Sequence, residues 1–242
     1  FIMKGDPIII IPSREGSTRL SKKPLIDLHG KSLVQRVYEL AFNITKHTYI
    51  ATDSDSIESH ARDFTNNIVM TSDDHISGTD RVHEAAKKLN VSSDQFIINL
   101  QGDEPFIPSI LLQNIIEDYF DYLPNVITAS QPLKSDDINN PNCVKVTSNN
   151  KFEATKFFRI DNNYNSQMDH HIGIYGYTFK TLNEFVNLEP TKNELIYKLE
   201  QLRFLDNGYK IHVTKYNSFI QKGIDTEEDV INARKYLEIN DN

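Results

Sequence analysis

Four cations, Arg14, Arg19, Lys22 and Lys23, fall within ten residues in a chain of 242 residues whose formal net charge is −8. Gly16 and the small hydroxyl residues Ser13, Ser17 and Thr18 lie among them. Positive charge gathered this way in an acidic protein is local. A loop of glycine, serine and basic side chains offers a phosphate group close backbone N–H donors and counter-charge. A solvated surface run is the alternative for the loop alone. Two carboxylates stand out further along. Asp103 follows Gly102, which has no side chain to obstruct a ligand, in Gln101-Gly102-Asp103-Glu104-Pro105, and Asp225 lies in Gly223-Ile224-Asp225-Thr226-Glu227-Glu228-Asp229. Magnesium takes one or two carboxylates with phosphate oxygens and water, so both suit a metal held over a triphosphate. Capping of the following helix by Asp103 and Glu104 is the lesser alternative, whereas Asp225 or Thr226 could equally be an N-cap and, taken alone, that segment reads as a cap.

The elements that must position these residues follow from the hydrophobic pattern. The basic loop comes after four consecutive isoleucines, residues 8–11, halted by Pro12, the pattern of a strand buried on both faces of a parallel sheet. Open α/β sheets bind their ligands beyond the carboxyl ends of such strands. Neither GxGxxG nor GxxxxGK[ST] occurs, so the dinucleotide fingerprint and the ATPase phosphate loop are both set aside. Ser32 is placed to cap a helix carrying Leu33, Val37, Leu40, Ala41 and Ile44 at helical spacing. A strand over 48–52 runs into Asp53, and Ser54 or Ser56 opens a second helix. A strand over 68–70, a helix over 79–89 and a strand over 95–100 continue the βαβαβα alternation, and Pro108 suits the first turn of a helix over 110–122. From 126 to 177 strand follows strand, over 126–130, 144–147, 152–158 and 172–177, which predicts an antiparallel excursion within a mixed sheet. One continuous helix is expected over 193–206, closed by Gly208, then a strand over 210–214 and a helix over 226–237. With no repeat or linker in view, a single domain over 1–242 is expected, its strand-rich part at 126–177 serving acceptor binding or dimerisation.

Composition narrows the class. With 38% apolar and 25% charged residues the chain is ordinary globular protein, and its acidic balance argues against nucleic acid or an anionic membrane as partner. Cys143 is the only cysteine, which excludes an intrachain disulfide and a cysteine-based zinc cluster. No apolar run approaches the roughly 18 residues of a membrane span and no signal-peptide pattern is seen, so a cytoplasmic location is the expectation.

Eight segments, taken in order, carry a resemblance that covers almost the whole chain. They are IIIIPSREGSTRLSKKPL at 8–25, ATDSDSI at 51–57, SGTDR at 77–81, NLQGDEPFI at 99–107, NPNCVKV at 140–146, HHIGIYGY at 170–177, LEQLRFLDNG at 199–208 and GIDTEEDV at 223–230. Together they resemble the CMP-Kdo synthetases, the 3-deoxy-manno-octulosonate cytidylyltransferases. The resemblance implies a Rossmann-like α/β fold with a mixed, mainly parallel sheet of the nucleotide-diphospho-sugar transferase type. It implies transfer of CMP from CTP to a 3-deoxy-ulosonic acid, 3-deoxy-D-manno-octulosonate in the first place, with release of pyrophosphate, in lipopolysaccharide synthesis. A Mg2+ cofactor and a homodimer are implied with it. CMP transfer to an amino-ulosonate or sialic acid, or a catalytically inactive nucleotide-binding subunit, are the alternatives.

Carried over by position, the resemblance puts Arg14, Arg19 and Lys23 on the phosphates and Ser77, Gly78 and Arg81 at the cytidine. Gln101 then lies between nucleotide and sugar, and Asp103 and Asp225 are the metal ligands. Arg14, Lys23, Asp103 and Asp225 form the catalytic group, while Arg159, His171, Tyr175, Glu200 and Gln201 receive the acid sugar. On the residues alone, His171 and Tyr175 read as core side chains, and Glu200 and Gln201 as solvent-facing. Two positions depart from the family pattern. Ser21-Lys22 stands where the family has Pro-Gly, and Phe158 stands where it has a serine, with a shortened loop following Arg159.

Overall fold

The structure, a computed structural model, describes residues 6–16, 20–160 and 168–240. The chain divides into two compact units, one running up to Leu112 and resuming at Ile220, the other Gln113–Phe219.

The first unit opens with β1 (Ile8–Ser13), whose four isoleucines are completely buried, as a strand covered on both faces requires. A small hairpin of β2 (Asp27–Leu28) and β3 (Lys31–Ser32), which the hydrophobic pattern does not announce, turns through His29 and Gly30 at φ 56° and 80°. There follow α1 (Leu33–Phe42), β4 (Thr48–Thr52), α2 (Asp55–Ala61), β5 (Ile68–Met70), α3 (Gly78–Lys88) and β6 (Phe96–Leu100). The first two helices start where Ser32 and Ser54 predict, and Ser77, expected only at the cytidine, caps the third. Ser32, Ser54 and Ser77 accept hydrogen bonds from the N–H groups of Gln35, Ile57 and Asp80, each satisfying a donor the helix leaves unpaired. The four strands are parallel in the order β6-β1-β4-β5, with Ile8 opposite Ile97 and Ser13 opposite Thr52. Their carboxyl ends therefore deliver Arg14, Asp53 and the Gln101–Asp103 turn to one edge.

After α4 (Ser109–Tyr122), the second unit contains β7 (Val126–Pro132), β8 (Lys145–Ser148), β9 (Ala154–Phe158), β10 (Met168–Thr178), α5 (Phe179–Val186), α6 (Lys192–Tyr197), α7 (Gln201–Asp206) and β11 (Ile211–Lys215). β11 pairs parallel with β7, while β7 with β10, β10 with β8 and β8 with β9 are antiparallel, the excursion expected from the run of strands. Helix α5 was not expected; Thr178 caps it by accepting from Thr181 N–H. The expected single helix over 193–206 is two. Lys198 adopts φ 52° and ends α6, and Arg203 from α7 reaches back to Glu194 at 2.5 and 2.7 Å, so one ion pair holds both halves of the break. Arg159 donates to the carbonyls of Tyr197 and Lys198 at that break, supplying partners an interrupted helix leaves open. The chain returns to the first unit with α8 (Glu227–Asn240), where Arg234 donates twice to the Asp27 carbonyl.

Candidate active site

A cavity of about 300 Å³ opens at the strand ends of the first unit, and its wall includes Arg14, Lys23, Ser77, Gly78, Arg81, Gln101, Asp103 and Asp225. Every residue expected on the nucleotide side is on that wall except Arg19, which lies outside the described residues. At the cavity, Lys23 Nζ lies 2.8 Å from Asp103 Oδ2 and 3.0 Å from Asp225 Oδ1. Burial works to lower the Lys23 pKa, but the two carboxylates outweigh it and hold the ammonium above its ordinary value, fully charged.

The helix-cap alternative for Asp225 is settled by its neighbours. Thr226 Oγ1 accepts from Asp229 N–H, and Asp229 accepts in turn from the N–H groups of Asp225 and Thr226, a reciprocal cap, while the Asp225 carboxylate accepts from Lys23. Asp103 is likewise turned to Lys23, well before the start of α4. Two glycines permit this approach of separate segments. A Cβ on Gly223 would come within 2.8 Å of Asp103 O, and one on Gly102 within 2.8 Å of Ser13 Oγ and 2.9 Å of Pro12 O. Gly102 thus permits close contact between β-strand ends at the wall of the cavity it lines. Ile224 N–H donates to Asp103 O at 2.9 Å and locks the two carboxylate-bearing segments together. Glu104 sits against them. Burial first, then the charges of Asp103 and Asp225, push its pKa up to about 8.

The wall toward the expected cytidine is held from α3. Arg81, 2% exposed, donates to Asp53 at 2.6 Å, Thr71 Oγ1 at 2.5 Å and Ser72 O at 3.2 Å. One turn on, Glu84 accepts from Ser72 N–H and pairs with His75 and Lys88. Burial disfavours the Glu84 charge, but hydrogen bonds from Lys88, Ser72 and His75 bring its pKa down to about 2. Two side chains of this wall, His75 and Ile76, were missed in the sequence, and the only signal for them is their position just ahead of SGTDR. Ser13 was noted only as a small hydroxyl. Its Oγ is buried with no hydrogen-bond partner among the described residues, beside the cavity it lines. Buried polar atoms are normally paired, so this one marks a wall shaped for a polar ligand.

The same cavity supplies the test of a metal. The Lys23 ammonium stands in for a cation, and two carboxylates from distant parts of the chain converge on it within hydrogen-bond distance. An all-oxygen donor pair of this kind fits magnesium.

In the second unit the expected acceptor residues are differently placed. His171 is buried, with Nε2 at 2.9 Å from Thr128 Oγ1, and burial together with His170 pushes its pKa down to about 3, so the ring is neutral. It meets Phe157 edge-on at 5.0 Å and Tyr175 at 5.6 Å. Burial, then the nearby Glu200 and Tyr177, hold the half-buried Tyr175 hydroxyl well above its ordinary pKa. Gln201 is buried and Glu200 half-buried at the start of α7, neither in the open position read from the helix pattern. Arg159 is turned elsewhere, donating to the carbonyls of Pro141, Tyr197 and Lys198. The loop that follows it, 161–167, lies outside the described residues. A larger cavity of about 740 Å³ in this unit is walled by Phe157, Phe158, Ile160 and Leu202 together with the polar Lys156, Asn193 and Asp206, and none of the expected acceptor residues lines it.

A parallel α/β sheet that brings Arg14, Lys23, Asp103 and Asp225 to one cavity beyond its strand ends suits a nucleotidyltransferase, the class its relatives show. Residues 8–211 match the family model described as cytidylyltransferase. The 3-deoxy-manno-octulosonate cytidylyltransferase of Lawsonia intracellularis is 41% identical, over 91% of this chain and 90% of its own length. That of Parabacteroides distasonis is 40% identical, over 94% and 96%. A solved structure of CMP:2-keto-3-deoxy-manno-octonic acid synthetase complexed with CTP superposes with a TM-score of 0.90 at 32% identity, covering 97% of this chain and 99% of that one. The chain therefore belongs to the cytidylyltransferase family, among the 3-deoxy-manno-octulosonate cytidylyltransferases.

Proposed function

We propose that this chain transfers CMP from CTP to 3-deoxy-D-manno-octulosonate, releasing pyrophosphate, and so provides the activated sugar for lipopolysaccharide synthesis. The observation that carries the reading is the Lys23–Asp103–Asp225 cluster at the wall of the nucleotide-sized cavity. In the reaction the anomeric 2-hydroxyl oxygen of the sugar bonds to the α-phosphorus, the bond from that phosphorus to the bridging oxygen breaks, and the hydroxyl proton goes to solvent. Such transfer asks a protein for positioning and charge stabilisation rather than a covalent nucleophile. Arg14 and Lys23 supply positive charge toward the departing pyrophosphate. Arg81 and Glu84 fix the wall against which the base rests. Magnesium, bound by Asp103 and Asp225, would supply the Lewis acidity that neutralises phosphate charge and acidifies the attacking hydroxyl.

A homodimer working in the cytoplasm completes the proposal. Its support is the family's pattern; in addition, no helix among the described residues is long and apolar enough to cross a membrane.

The test is pyrophosphate release with CTP or UTP, with and without magnesium, across 3-deoxy-manno-octulosonate, an amino-ulosonate and a sialic acid. Preference for CTP and 3-deoxy-manno-octulosonate with a magnesium requirement is expected. Release with sialic acid alone would reassign the acceptor. No release with any acid would leave a nucleotide-binding subunit.

A further inference from the structure

Cys143, the single cysteine, lies in the second unit beside Asp137 and His170, and ligand atoms of the three fall within 4.8 Å of one another. We propose that these residues form a mixed-donor site, with one thiolate where a cysteine-based cluster needs several, for a borderline-soft divalent metal, zinc in the first place, separate from the oxygen ligands of the nucleotide cavity. A tetrahedral zinc site with bonds of about 2.0–2.3 Å sets its ligand atoms roughly 3.3–3.7 Å apart, so closure needs a shift of about 1 Å. The donor set selects the metal. Thiolate and imidazole favour zinc over magnesium, whose preference is for oxygen alone.

The surroundings are those of a built site. Two of the three ligands already have outer partners: Asn140 donates to Asp137 Oδ1 at 3.0 Å, and the Gln131 amide meets His170 Nδ1 at 3.1 Å. Turned over, the Gln131 amide accepts from Nδ1–H and leaves Nε2 with a lone pair for a metal, the usual way a ligating histidine is oriented. Cys143 is 4% exposed, and among the described residues its Sγ makes a single weak contact, 3.9 Å to Val144 O. Lys145 fixes the loop by donating to the carbonyls of Asn140, Cys143 and Arg159 at 2.7, 3.0 and 2.6 Å, so its three ammonium protons are already used. One carboxylate and one thiolate neutralise a divalent ion, so Lys145 faces no net cation. On binding, the thiol proton passes to solvent. The ion would staple the 137–143 loop to β10 one residue before His171.

Cobalt titration of the full chain, stripped of metal with a chelator, tests this. One equivalent of Co2+ should give a thiolate-to-metal band in the near ultraviolet and strong tetrahedral visible bands, both bleached by Zn2+, and Zn2+ should raise the melting temperature. The oxygen-only pair Asp103 and Asp225 gives neither band, and with a single cysteine the ultraviolet band reports Cys143 alone. Cys143→Ser should abolish that band, and Asp137→Asn, in a partly exposed loop, should weaken Co2+ binding at least tenfold with the circular dichroism unchanged. Absence of the band in the folded wild-type chain overturns the proposal, as does a band that survives Cys143→Ser.

Discussion

The two units use their polar residues in opposite ways. In the first, the candidate functional side chains come from the ends of buried parallel strands and meet at an open cavity, with Lys23 held between two carboxylates and Ser13 Oγ without a partner among the described residues. In the second, His171 hydrogen-bonds Thr128, Arg159 is spent on backbone carbonyls, and none of the expected acceptor residues lines the large cavity. Nucleotide chemistry is thus prebuilt by topology, since parallel strands carry their carboxyl ends to one edge. The acceptor residues are instead woven into the unit's own stability. Substitutions in the first unit should therefore cost rate at constant stability, and those in the second should cost stability.

The sharpest test falls on the carboxylates. Asp103→Asn and Asp225→Asn should each lower turnover a hundred- to a thousandfold, about 2.7–4 kcal/mol of transition-state stabilisation, while melting within a few degrees of wild type. Because both act on one cation position, the double variant should lose far less than the product of the two. Near-normal turnover of Asp225→Asn at saturating magnesium would return Asp225 to a structural role and dissolve the contrast between the units.

Next in size is Phe158. On β9, alternation separates neighbouring side chains, and Phe157 is the ring against His171, while Phe158 is 4% exposed with the Lys156 ammonium 4.7 Å from its ring centre. Phe158→Ser should cost about 3 kcal/mol of stability and leave KM for the sugar acid unchanged. A changed acceptor KM at unchanged melting temperature would put Phe158 at the substrate, as replacement of the family's serine suggests from sequence.

How far the sequence could be read follows the same division. The strand of four isoleucines and the caps at Ser32 and Ser54 depend on local pattern, which a sequence displays, whereas the residues at the cytidine were reached through the family resemblance. The broken helix at Lys198 was not legible, because its residues keep helical spacing and the carbonyls at the interruption are met by Arg159 from a distant segment. The choice between cap and ligand at Asp225 was equally closed to pattern, since it turns on Asp229 and on a lysine some two hundred residues away.

A smaller effect is expected at Arg159. Arg159→Ala removes donors to three carbonyls and should lower stability by roughly 1–2 kcal/mol, read as a shift of a few degrees in melting temperature, with KM for CTP untouched. If KM for the sugar acid rises tenfold instead while melting is unchanged, Arg159 leaves its carbonyls to bind the acid, and the second unit is less self-occupied than it looks.

The smallest effect tests the wall of the first unit, where one residue is predicted to matter for stability as well as for the site. Glu84 has a folded pKa of about 2 against an ordinary 4.5, lowered by Lys88, Ser72 and His75 in spite of burial. An acid whose folded pKa is depressed contributes stability that is present above its unfolded pKa and lost as pH falls toward the folded one. Wild type should therefore lose stability between pH 4.5 and pH 2 through this group, and Glu84→Gln, which has no charge to protonate, should lose less over that window while being the less stable protein near neutrality. Melting temperatures at pH 6, 5, 4 and 3 read this directly, and parallel curves for the two proteins would show that Glu84 does not anchor the segment. At neutral pH the loosened segment, which carries His75 and Ile76 on the cavity wall, should raise KM for CTP a few-fold and leave KM for the sugar acid alone. A rise in the acceptor KM instead would mean that this wall does not belong to the nucleotide.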